Sequence, residues 1–253
     1  MHFLIFIFLI LVISGCSYLK EQEDSSKEIQ LTISAAASLR DALTEIKKEF
    51  ELDHSIKVVY NYGSSGALSR QIEQGAPVDL FFSADLESFK QLGDQQYIAS
   101  TSKKNLLSNE LVIIVPKESS LNSLEESSKI NSFAIGTPET VPAGKYAKEY
   151  LVSEGLWNQF ENKFIYAKDV KQVLSYVETN NVDVGIVYRT DALRSKSVNV
   201  LSNIKKELTS PIVYPVGVLK NTNNPKEAET FYFYLQSEKA IEIFKKYGFT
   251  SID

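Results

Sequence analysis

Cysteine and histidine are almost missing from these 253 residues: Cys16 is the only cysteine, and His2 and His54 are the only histidines. One cysteine cannot close an intrachain disulfide. So few soft or imidazole ligands also argue against a zinc or copper site built from His and Cys. A Ser-His-Asp hydrolase would need His54 as its base, yet "ELDHSIK" reads as a polar connection between a helix and a strand, where an exposed histidine is expected. There is no basic excess either. Thirty-two acidic side chains stand against 27 basic ones, net charge −5, which argues against a nucleic-acid partner. The glycine-flanked stretch "GSSGALSRQIEQG" (Gly63–Gly75) has no lysine to complete a nucleotide loop. Its Ser65 also lacks the G-x-S-x-G spacing of a nucleophile elbow.

No apolar run is long enough to cross a bilayer as a helix. "FLIFIFLILVI" (Phe3–Ile13) has the length of a signal-peptide core instead. The "ISGC" that follows (Ile13–Cys16) resembles a bacterial lipoprotein cleavage box, although the preceding Met1–His2 carries no lysine or arginine. Residues 1–15 are therefore expected to be a signal peptide, with Cys16 the lipidated N-terminus. "SYLKEQEDSSKE" (Ser17–Glu28), polar and charge-rich, completes a flexible tether over 16–28. The expected location is extracytoplasmic, at the membrane surface.

From Ile29 onward, short apolar strands alternate with amphipathic helices, the signature of an α/β protein. Strands are expected at "IQLTIS", "IKVVYNY", "VDLFFSAD", "ELVIIVPK", "SFAIG", "KFIYA", "VDVGIVY" and "IVYPVGVL". In the first helix, Leu39, Ala42, Leu43, Ile46 and Phe50 fall on one face. One long helical stretch is expected at the C-terminus, from Pro225 on. Two successive α/β sets without a long linker indicate two lobes, 29–112 with 213–253 and 113–212, joined by two crossing strands near "ELVIIVPK" and "IVYPVGVL".

Several strands run straight into helices. The first N–H groups of a helix have no partner within it, and with the helix dipole they favour an anion. Ser38 stands where an N-cap belongs, with Asp41 completing a capping box. Gly63 and Gly66 permit close backbone approach beside the hydroxyls of Ser64 and Ser65. Ala143 and Gly144 open another helix, Asp169 is placed to cap the one starting at Val170, and Tyr188 ends a strand before a new helical start. Taken singly, each is more often a cap, a loop or a packing residue than a ligand contact.

Together, "AAASL", "GSSGALSRQIEQGAPVDLFFSAD", "VPAGKYAKE", "DVKQVLSYVE", "VGIVYRTDA" and "AIEIFKKYGF" resemble the molybdate-binding proteins of bacterial ABC importers, in that family's order and from about Gln30 to Phe249. The resemblance implies a two-lobed periplasmic-binding-protein fold of type II that closes over a tetrahedral oxyanion. It implies ligand contacts from Ser38, Ser65, Ala143, Val170 and Tyr188, with hydroxyls and backbone N–H groups as donors and no direct ligand to the metal. It further implies a monomer that is not an enzyme, needs no cofactor, and delivers molybdate or tungstate to a permease and its ATPase. Gly66 stands where many relatives carry serine or another small residue. Molybdate is fully deprotonated at neutral pH and suits a site made only of donors, whereas monohydrogen phosphate brings a proton that needs an acceptor. Three alternatives stay open at this point: a sulfate binder, an iron binder using tyrosines such as Tyr60, Tyr62 and Tyr188, and an enzyme with Ser65 as nucleophile.

Overall fold

The computed structural model describes residues 29–252. The signal peptide, Cys16 and the tether expected over 1–28 lie outside the described residues. Strand β1 (Ile29–Ala36) passes through a 3-10 turn (Ala37–Leu39) into α1 (Arg40–Asp53), followed by β2 (Ile56–Gly63), α2 (Ser65–Glu73), β3 (Leu80–Phe82), α3 (Leu86–Asp94) and β4 (Ile98–Ser108). A second set comprises β5 (Leu111–Pro116), β6 (Phe133–Gly136), α4 (Pro142–Ser153), the short α5 (Trp157–Phe160), β7 (Phe164–Ala167), α6 (Val170–Glu178), β8 (Val184–Tyr188), α7 (Arg189–Ala192) and β9 (Val198–Asn203). The chain then adds β10 (Val213–Leu219), α8 (Pro225–Tyr234), α9 (Glu238–Lys246) and β11 (Thr250–Ser251).

These strands form two mixed sheets, ordered β11-β4-β10-β3-β1-β2 and β7-β6-β8-β5-β9. In the first, β1 runs parallel to β2 and β3; in the second, β6 runs parallel to β7 and β8. Each parallel set sends its C-terminal strand ends toward the other lobe, the edge at which α/β sheets offer ligand sites. The antiparallel members β10 and β5 flank the chain's crossings. Only Asn109 and Glu110 separate β4 from β5, and residues 204–212 return the chain to β10. The two crossings run side by side: Asn109 N–H donates to the Ile212 carbonyl at 3.3 Å, and Ile204 N–H to that of Leu111 at 3.0 Å. Leu111 and Val112, assigned above to the first lobe, pair with Tyr188 and Val187 in the second sheet, so the sheets part at Asn109–Glu110.

Helices cover both faces of the first sheet. Ala42, Leu43, Ile46 and Phe50 of α1 are buried as the periodicity requires. Phe50 meets Phe231 of α8 edge-on at 4.9 Å, and Phe82 of β3 meets Phe244 of α9 at 6.0 Å. On the opposite face Phe89 of α3 stacks on Phe81 at 6.1 Å. Each fully buried ring of this kind contributes on the order of 1.5–3 kcal/mol through removal from water. The C-terminal stretch is two helices instead of one, because the Ser237 hydroxyl caps a new start by accepting from Ala240 N–H at 3.3 Å. Strand β3 is only three residues long within the eight expected, since Ser83 and Asp85 turn back into a capped entry to α3. Strands β4, β9 and β11 had no counterpart in the sequence reading.

Candidate functional site

Ser38, Ser65, Ala143, Val170 and Tyr188, drawn from five separate segments of the chain, line one tight cavity of about 10 Å³ between the two lobes. Ser38 follows β1, Ser65 begins α2 directly after β2, Ala143 and Val170 open α4 and α6, and Tyr188 ends β8. Ala36, Ala37, Ala84, Val141 and Pro142 supply apolar wall, and Gly63 and Ser64 complete the first lobe's rim. Lysine, arginine and histidine are absent from this wall; Asp169 is its one charged residue. The Asp169 carboxylate caps α6 by accepting from Gln172 N–H at 2.9 Å, as expected from the sequence. That the same residue also reaches the cavity wall was not anticipated.

The local hydrogen bonds show which polar groups of this wall are already engaged. Ser65 is fully buried and its Oγ accepts from Ala84 N–H at 2.8 Å, which leaves the hydroxyl proton for another acceptor. Pro142 occupies the first position of α4 and has no N–H, so Ala143 offers the first free donor of that helix turn. Val170 stands equivalently at the head of α6. Tyr188 is 1 % exposed, and its hydroxyl has no hydrogen-bond partner among the described residues. Burial pushes this phenol well above its ordinary pKa, so it remains a neutral O–H donor. A buried, unpaired hydroxyl costs about 1–3 kcal/mol unless something accepts from it, and this one belongs to the cavity wall.

Ser38 departs from the expectation of an N-cap. The 3-10 turn places Leu39 at the cap position of α1, without a side-chain capping bond. The Ser38 hydroxyl instead shares a 3.0 Å hydrogen bond with the Tyr214 hydroxyl. Asp41, expected in a capping box, binds Lys171 Nζ across the cleft at 2.8 Å. Lys171 also lies 3.1 Å from Oδ1 of the fully buried Asp191. Burial opposes the charge on Lys171, but the two carboxylates outweigh it and hold its pKa above the usual lysine value. A second ion pair, Lys145 with Glu87, spans the lobes, and so does a backbone bond from Gly66 N–H to the Thr140 carbonyl at 3.1 Å. A Cβ at position 66 would stand 2.8 Å from that carbonyl oxygen, so glycine permits the approach.

Other candidates lie elsewhere. Tyr60 and Tyr62 stack on each other at 5.1 Å and donate to the Leu43 and Arg40 carbonyls; neither reaches the cavity wall. His54 is half-buried, not exposed: it stacks on Phe50 at 4.2 Å, and its Nδ1 lies 3.0 Å from the Phe50 carbonyl. It is not beside Ser65 on the cavity wall, so His54 is not placed to serve that serine as a base. Among the described residues, no three His, Cys, Asp or Glu side chains are grouped to hold a metal ion. Tyr214, Asn109, Lys171 and Asp191 were missed because their roles arise from contacts between distant segments, for which the local sequence carries no signal.

Similarity to known proteins bears on the same body of the chain. The family described as bacterial extracellular solute-binding protein matches residues 31–250. This chain belongs to that family. ModA of Escherichia coli (strain K12), named a molybdate-binding protein, is 40 % identical over 231 residues, spanning 88 % of this chain and 90 % of its own. YvgL of Bacillus subtilis (strain 168), provisionally named an ABC transporter substrate-binding lipoprotein, is 53 % identical across 95 % of this chain and 94 % of its own. The solved substrate-binding domain of a provisionally named molybdenum ABC transporter from Clostridium difficile is 39 % identical, with a TM-score of 0.69 over 89 % of this chain and all of that one. The two mixed sheets are thus the periplasmic-binding-protein-like fold of an extracellular solute-binding protein, with the cavity between its lobes.

Proposed function

We propose that this solute-binding protein captures molybdate, and tungstate with it, and hands the oxyanion to the permease and ATPase of an ABC importer as a monomer. Ser38, Ser65 and Tyr188 act through their hydroxyls in this reading, and Ala143 and Val170 through backbone N–H groups. The observation that carries it is the Tyr188 hydroxyl, buried and unpaired on a wall otherwise made of serine hydroxyls, helix starts, apolar side chains and Asp169, whose carboxylate is engaged in capping α6. An oxyanion with no proton to give satisfies every one of these donors at once. Helix ends spread the charge compensation, so no direct lysine or arginine contact is required. Sulfate carries the same charge in a smaller shell, which leaves discrimination to donor reach across the cavity. Iron finds no tyrosine cluster on this wall, because Tyr60 and Tyr62 are engaged elsewhere.

The protein binds its cargo and does not transform it. Membrane attachment follows from a lipid on Cys16, and Cys16→Ser is expected to release the chain from the membrane fraction. Thermal unfolding tests the ligand reading. Molybdate at 100 times its Kd should stabilise the fold by about 2.7 kcal/mol through linkage, with sulfate giving a much smaller shift at equal concentration. A shift with sulfate alone, or with neither anion, would refute molybdate as the cargo.

A further inference from the structure

A chain of hydrogen bonds connects the cavity to the first crossing between the lobes. Asn109, nearly buried, uses its amide in three directions. Its Oδ1 accepts from Glu110 N–H at 2.9 Å, and its Nδ2 donates to Thr190 Oγ1 at 3.0 Å and to the Tyr214 hydroxyl oxygen at 3.2 Å. The Glu110 N–H can only donate, so it fixes which end of the amide is the carbonyl. Both Nδ2 protons are then committed, one to Thr190 and one to Tyr214.

Tyr214 is fully buried, and its hydroxyl oxygen lies 3.0 Å from Ser38 Oγ. Either hydroxyl taken alone could be the donor in that pair. Asn109 Nδ2 can only donate, so of the two groups within hydrogen-bonding distance of the Tyr214 hydroxyl, Ser38 Oγ is the one able to accept its proton, and this arrangement satisfies both contacts at once. Ser38 Oγ accepts it, and the serine's own proton must point elsewhere. Ser38 lies on the cavity wall, so the cavity is where that proton is available.

We propose that Asn109 and Tyr214 are positioning residues that lock the Ser38 hydroxyl as a donor into the cavity, and thereby select oxyanions that carry no proton. The inference rests on the oxyanion-binding reading above and gives it a specificity mechanism beyond cavity size. A freely rotating serine hydroxyl serves a bare anion oxygen as donor and a P–OH group as acceptor. A serine whose oxygen already receives a proton from Tyr214 favours the first task. Burial pushes the Tyr214 phenol above its ordinary pKa, so the relay holds its proton at working pH.

Sulfate and phosphate form the informative pair of probes, being close in size and different in protonation. Titration of the purified protein and of Tyr214→Phe with molybdate, sulfate and phosphate near pH 7 should show molybdate and sulfate weakened in parallel by about 10-fold, as for a misdirected hydrogen bond to a charged group. Phosphate should weaken much less, so that the sulfate-to-phosphate ratio falls. An unchanged ratio, with affinities all reduced together, would reduce Tyr214 to packing and overturn the proposal. A measurement without ligand separates this from failure of the oxyanion reading and serves equally if the variant does not fold. In NMR spectra of the free wild-type protein, the Asn109 Nδ2 protons should show cross-peaks to the Tyr214 ring and the Thr190 side chain. Cross-peaks placing those protons against the Glu110 N–H would reverse the amide and overturn the relay, whatever the protein binds.

Discussion

At the scale of single residues, the cavity separates two contributions that substitutions usually confound. Tyr188→Phe removes a hydroxyl that has no partner in the described structure, so the ligand-free protein should keep its melting temperature or gain slightly. Oxyanion affinity should fall by about 1–3 kcal/mol, as for a hydrogen bond to a charged group. Loss of stability without loss of affinity would show that the hydroxyl serves the fold. Ser65→Ala should behave oppositely in the absence of ligand, because it strips the acceptor from the buried Ala84 N–H. A cost of about 1–3 kcal/mol in unfolding free energy is expected beside weaker binding. The five wall residues were legible in the sequence through the family resemblance, whereas their hydrogen-bond partners were not. Ser38 was read as a cap from its position before a helix. The 3-10 turn and Tyr214, distant in sequence, give it another role.

Secondary-structure elements bring their own constraints. Helix α4 approaches β6 so closely that a Cβ on Gly144 would lie 2.0 Å from the Gly136 carbonyl oxygen. Gly144→Ala should therefore destabilise by about 1–3 kcal/mol, as overpacking does, although alanine ordinarily favours a helix by roughly 1 kcal/mol. Chemical denaturation measures the sign, and a stabilised variant would contradict the packing. Helix α7 carries Asp191, whose carboxyl burial pushes up to about 6 from 3.8, with Lys171 pulling the other way. Between those values the folded chain holds a proton that the unfolded chain has released, so this group's contribution to stability falls as pH rises through the window. The melting temperature of wild type relative to Asp191→Asn should fall from about pH 4 to 6 and then level off; a rise of wild type relative to the variant over that range would contradict the buried placement. Periodicity revealed α1, α6 and the inner parallel strands β1, β3, β6 and β8 because each has one clean apolar face or a buried run. It did not reveal β4, where Lys103, Lys104 and register shifts against β10 break the alternation. Nor did it reveal β9, which presents a mostly exposed edge to the second sheet.

For the whole molecule, the proposed capture predicts that the lobes part and meet again, since residues of both line the cavity. The Asp41–Lys171 pair and the Gly66–Thr140 backbone bond join the two lobes across the cleft. Asp41→Asn should accordingly speed oxyanion release several-fold in stopped-flow measurements while leaving the association rate nearly unchanged, as interface substitutions mostly act on dissociation. An effect confined to association would place the latch in the open form. The two-lobed architecture followed from alternating elements and short connections, but the place of crossing did not, because Asn109 and Glu110 carry no marker in their own sequence. The most direct test is calorimetric titration of the body from Ile29 to Asp253 with molybdate, tungstate and sulfate in parallel. One-to-one binding of molybdate and tungstate, each far tighter than sulfate, is the expected result. Absence of binding by both molybdate and tungstate would contradict the assignment of this cavity as their site.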